Sequence, residues 1–168
     1  LTVHGARVTV GASELVADGT IDAQDRVDAI VHGEIADLAE IAPADVAGGP
    51  PTGRVTVELD MRGPIRSPAV DAEIRIEDAS WAGIDAGRLD ILAASPAVGP
   101  EARFDIRATG AGVGHGARRF ERVVAEGSAD AKSVVVRSME LSSPAGAVRL
   151  AGRLDFPGPG ELTGTIDR

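Results

Sequence analysis

Apolar and polar residues alternate along most of this chain. Val55, Val57, Leu59 and Met61 alternate with Arg54, Thr56, Glu58, Asp60 and Arg62. After the break GPIRSP the scheme restarts, with Val70, Ala72, Ile74 and Ile76 set against Asp71, Glu73, Arg75 and Glu77. A period of two belongs to a β-strand with one apolar face, because successive side chains point to opposite sides of the sheet. The pattern returns with Leu89 and Ile91, with Phe104, Ile106 and Ala108, and with Val148, Leu150, Gly152, Leu154 and Phe156. Weaker runs lie at 6–10, 14–22, 27–32, 120–129, 134–141 and 161–167. Together they predict roughly ten strands, an all-β chain with antiparallel neighbours.

The breaks carry turn chemistry. Gly63-Pro64 and Ser67-Pro68 end one strand and start the next, since proline has no N–H for a central ladder. Asp18-Gly19 and Pro144-Ala145-Gly146 are predicted hairpin tips, and GGPP at 48–51 a connector. One short helix is predicted over 34–42, EIADLAEIA, where Ile35, Leu38 and Ile41 recur at three-residue spacing before Pro43. Too short to be stable alone, it must cap or cover something. The polar faces mix signs and are expected to be solvated outer faces, on which Arg54, Glu58 and Asp60 can pair across strands with Asp71, Glu73 and Arg75.

Composition narrows the function classes. The chain has 168 residues, one domain's worth, and is 43% hydrophobic, with only three Phe, one Trp and no Tyr. Buried surface must come from Val, Leu, Ile and Ala. The net charge of −9 argues against a nucleic-acid partner. The densest basic patch, Arg118, Arg119 and Arg122, is diluted by Glu121 and Glu126. No apolar run approaches the length of a membrane helix. The absence of Cys excludes disulfides and Cys-based metal sites. The chain begins and ends in strand pattern, so 1–168 is expected to be a single segment of a longer protein.

Little in the sequence points to catalysis. His4, His32 and His115 are far apart and none stands at a zinc spacing. No GxSxG elbow or Cys nucleophile is present. GAGVGHG at 110–116 fails the dinucleotide fingerprint in every frame, with His115, Ala117 or Arg119 where the third glycine belongs, and is expected to be a flexible loop. The acidic residues are dispersed at outward positions. No enzyme activity, metal or cofactor is expected.

Phrasing adds to periodicity. Residues 33–92 run from a helix of the form G-x-I-x-D-L-x-x-I-x-P through a Gly-led alternating strand, G-x-I-x-x-P, a second alternating strand and a G-x-L-x-x-L strand. The tail MELSSPAGAVRLAGRLDFPGPGELTGTID keeps a similar cadence. This resembles the repeat phrasing of the TamB and AsmA-like family of bacterial envelope proteins, best at 33–92 and 139–167. Residues 93–132 match less well, and Pro64 replaces the Thr of the family's usual G-T phrase.

The resemblance implies antiparallel strands curled into an elongated, open, U-shaped groove with an apolar inside. It implies a periplasmic location, in a full-length protein anchored to the inner membrane. The implied role is to carry phospholipid between inner and outer membranes and to support outer-membrane protein assembly, with an outer-membrane assembly factor as partner. On that reading the groove wall, in contact with phospholipid acyl chains, is Val55, Val57, Leu59, Met61, Val70, Ala72, Ile74, Ile76, Leu89, Ile91, Phe104, Ile106, Val148, Leu150, Leu154 and Phe156. The same residues equally suit the dry core of a structural or adhesive β-sandwich repeat. Trp81, in the turn-like DASWAG, is expected to plug or cover an edge.

Overall fold

The computed structural model describes residues 1–40, 49–116, 118–155 and 161–167. They form one open antiparallel sheet of eleven strands in strict chain order. The strands are β1 (Thr2–Val10), β2 (Ser13–Ile21), β3 (Arg26–Ile35), β4 (Thr52–Pro64), β5 (Ala69–Trp81), β6 (Ile84–Ser95), β7 (Phe104–His115), β8 (Arg118–Ala129), β9 (Ser133–Ser143), β10 (Gly146–Asp155) and β11 (Glu161–Asp167). At about 4.8 Å per strand step, the sheet runs roughly 50 Å from β1 to β11. The fold is the all-β, antiparallel one that the alternation predicts, and the sheet is open, as the resemblance implies.

Each strand packs on its neighbours in sequence, and one 3-10 turn, Leu38–Glu40, packs on β4. Among the described residues, only Val55, Val70, Ala86 and Val123 are buried hydrophobic side chains. The described strands form a single sheet, in which side chains bury chiefly against neighbours on adjacent strands. The buried polar residues are Ser13, Ser95, Ser128 and Ser133, and each has a partner. Ser13 Oγ donates to Glu40 Oε2 at 2.8 Å and accepts from the Ala36 N–H at 3.1 Å, tying the 3-10 turn to β2. Ser95 Oγ donates to the Ala97 carbonyl, Arg103 donates to Ser128 Oγ, and Ser133 Oγ reaches Asp130.

Four local expectations change. The helix over 34–42 is not found in the described residues. Ile35 closes β3 opposite Val55, and a single 3-10 turn follows. With Ile35 held in the ladder, too few residues remain before Pro43 to nucleate an α-helix. Residues 41 and 42 lie outside the described residues. Asp18-Gly19 is not a hairpin tip but lies inside β2, and the β1–β2 turn is at Gly11-Ala12. A Cβ on Gly19 would meet Ala29 Cβ at 2.5 Å, and Asp18 Oδ1 accepts from the Gly5 N–H at 2.8 Å, so both residues serve the ladder. The glycine run at 110–116 is not a loop, because β7 continues through it to His115. Gly112 holds φ at 66°, a left-handed value that glycine adopts without strain. Trp81 covers no edge. It closes interior strand β5 at a hairpin tip and is 47% exposed.

Candidate functional site: the aliphatic face

Register aligns the apolar positions of successive strands into rows that cross the sheet. One row visits every strand, through Val8, Leu15, Gly33, Val57, Ile74, Ile91, Ala108, Ala125, Met139, Leu150 and Gly164. A second passes through Ala6, Ala17, Val31, Leu59, Ala72, Ala93, Ile106, Gly127, Val136 and Gly152. A third runs through Ile35, Val55, Ile76, Leu89, Gly110, Val123, Leu141, Val148 and Ile166. A fourth is carried by Val3, Gly19, Ala29, Met61, Val70 and Ser95, and by Phe104, Ala129, Val134 and Leu154 beyond the β6–β7 connection. No charged residue enters any of them.

Fifteen of the sixteen residues expected on the wall fall in these rows, and Phe156 lies outside the described residues. What hydropathy missed are the small members, Gly33, Gly110, Gly127, Ala93 and Ala125. Large neighbours lean over the glycines. A Cβ on Gly33 would collide with a Leu15 methyl, and one on Gly110 would sit 2.8 Å from a Leu89 methyl and 3.4 Å from a Val113 methyl. The only available signal was indirect, a glycine at an inward position of an otherwise alternating run.

Bulges keep the face continuous. Register shifts between Val3 and Ala6, and again beside Glu126/Gly127 and Leu150/Gly152. The extra residue lets Val136 and Met139, three positions apart, share a face.

The opposite face is charged, and its pairing differs from expectation. β4 sets Glu58 directly against Glu73, and Asp60 against Asp71, of β5. Like charges opposite each other are unfavourable by a few tenths of a kcal/mol. The register survives because a one-residue slip would turn every aliphatic residue outward. Relief comes from elsewhere: Arg62 reaches Asp60, and Arg75 reaches Glu73 at 3.6 Å and Asp90 at 2.9 Å. Arg54 pairs with Glu77 at 3.8 Å. Hydrogen bonds from Arg88 and then Arg75 pull the Asp90 carboxyl down to about 2.

Two depressions of about 520 and 800 Å³ open on this charged face. The first lies among Glu58, Asp60, Glu73, Leu92, Ala94 and Arg107, and the second among Arg122, Glu140, Arg149, Ala151 and Thr163. They are gaps where long charged side chains stand around short ones.

No protein-family model, curated protein or solved structure matches the chain.

Among the described residues, no group of three or more His, Cys, Asp or Glu side chains is arranged to hold a metal ion. The histidines are dispersed: His4 lies 3.7 Å from Asp18, His32 lies 3.7 Å from Glu58, and His115 Nδ1 lies 3.0 Å from the Gly83 carbonyl. No helix among the described residues is long and apolar enough to cross a membrane, which leaves strand-built membrane proteins unaddressed. What the arrangement offers is an extended apolar surface without polar anchors. Such a surface attracts hydrocarbon by area, about 25 cal/mol per Å² covered, with no fixed docking point.

Proposed function

We propose that the aliphatic face binds phospholipid acyl chains, as a segment of an envelope protein that conducts phospholipid between inner and outer membranes and supports outer-membrane protein assembly. The observation that carries the reading is the row from Val8 to Gly164, aliphatic or small on all eleven strands of a single sheet paired in chain order. The resemblance at 33–92 and 139–167 supports the same role. It also supports a periplasmic setting, an inner-membrane anchor on the full-length protein and an outer-membrane assembly factor as partner. A slot that moves lipid must hold it without trapping it, and aliphatic walls meet that need because they spread binding free energy evenly.

The test is native mass spectrometry with lipid extraction on the chain purified from bacterial envelope, wild type beside Ile74→Asp. Phospholipid that co-purifies with wild type and is lost in the variant, with β-sheet circular dichroism retained, is the expected result. A lipid-free wild type that the same substitution unfolds would replace transport with a structural repeat whose core is closed.

A further inference from the structure

The topology brings the chain's sole tryptophan to one end of the sheet beside its densest arginines. Trp81 stands opposite Ile84 across the β5–β6 hairpin, Ile84 opposite His115 of β7, and His115 opposite Arg118 of β8. Directly opposite residues of an antiparallel sheet share a face, so these four form one row, about 14 Å long, at the rim. Trp81 is 47% and Ile84 48% exposed. Arg119 stands one position further in, its side chain 66% exposed and 4.0 Å from Asp85. Most arginines of the charged face are held by carboxylates, as Arg62, Arg75, Arg88 and Arg107 are. No carboxylate of a described residue lies within ion-pair distance of Arg118 or Arg122.

We propose that the tip of the β5–β6 hairpin and the adjoining ends of β7 and β8 are a contact site for the surface of an anionic phospholipid bilayer. An indole with a polar N–H and an apolar body settles at headgroup depth, and Ile84 beside it adds apolar area to the same insertion. The unpaired guanidinium of Arg118 stands in the same row at the height of lipid phosphates, in a chain whose overall charge of −9 would otherwise repel that surface. A protein partner fits less well, because two large apolar residues are far short of the roughly 1,000 Å² that a stable interface covers. The site rests on the rim residues and is independent of lipid binding on the aliphatic face.

Trp81 is its own reporter. The intact chain is titrated at low salt with phosphatidylcholine vesicles containing phosphatidylglycerol, with pure phosphatidylcholine vesicles, and with inorganic phosphate. A blue shift of tryptophan emission with the anionic vesicles alone is expected. Arg118→Gln should weaken partitioning about fivefold, the worth of one arginine near an anionic surface. Trp81→Ser with Ile84→Ser, followed by co-sedimentation, should abolish binding with the β-sheet circular dichroism unchanged, since both residues are exposed. The proposal is overturned by the absence of a shift, by an equal shift with neutral vesicles or phosphate, or by tip variants that still bind.

Discussion

Truncating the aliphatic face at its centre should cost little, and the smallness is the diagnostic. Ile74 lies half-buried in the middle of the eleven-strand row, between Val57 and Ile91. Ile74→Ala removes three carbons. At about 0.8 kcal/mol per fully buried methylene, halved for partial burial, the loss is about 1 kcal/mol. Little cavity cost follows, because the side chain is only half-buried. In a covered core the same change costs about 2–5 kcal/mol. Val55→Ala is the internal control. Val55 is 4% exposed, on the strand that the 3-10 turn packs against. Its truncation removes two carbons but leaves a cavity, for a cost of about 2 kcal/mol. The smaller deletion should therefore be the more damaging one. Urea unfolding followed by far-ultraviolet circular dichroism reads both. With a slope of about 2 kcal/mol/M, Ile74→Ala should lower the midpoint by about 0.5 M and Val55→Ala by about 1 M. A drop of about 1.5 M or more for Ile74→Ala, or the reverse order, would refute the reasoning and show that the face is covered in solution.

Three further outcomes are expected. Gly127→Ala brings a Cβ into collision with the Val135 carbonyl, backbone against backbone, and should cost about 1–3 kcal/mol in thermal unfolding, whereas Gly33→Ala meets only the flexible end of Leu15 and should cost less. The carboxyl of Asp90 has its folded pKa depressed to about 2, so its contribution is present above the unfolded carboxylate range and is lost as pH falls from about 4 towards 2. Asp90→Asn should remove that dependence, worth under about 1 kcal/mol at this solvent-facing site, from the pH profile of the unfolding midpoint. Asp71→Lys turns the repulsive pair with Asp60 into an attractive one, and should raise stability by up to about 1 kcal/mol at low salt and less in high salt.

The strands were legible because each buries one face, and alternation at 54–62 and 70–77 states that in the residues themselves. The row that joins them was only half legible. Leu59 and Ile74 announce an inward position, but Gly33 and Gly127 do not, since hydropathy cannot distinguish a glycine beneath a neighbour's side chain from one in a turn. The same ambiguity placed a tip at Asp18-Gly19 and a loop at 110–116. The helix over 34–42 misled because Ile35 suits a three-residue period and a strand end equally, and the ladder with Val55 took it. The ion pairs misled because register is chosen by the aliphatic face, and Glu58 and Asp60 had to accept the partners it brought. The rim site was invisible, since Trp81 and Arg118 are distant in sequence and only the β6–β7 pairing brings them together.

Pairing in strict chain order has a kinetic and evolutionary consequence. Antiparallel sheets usually fold slowly because their contacts join distant parts of the chain. Here every ladder closes across the connection that precedes it, so ordering can start at one hairpin and spread outward strand by strand. The stretches 36–51 and 96–103 are the longest connections between the described strands and the natural places for that spread to pause. The same arrangement makes size adjustable. Gain or loss of one hairpin changes the width of the sheet by about 10 Å and leaves every other pairing as it was.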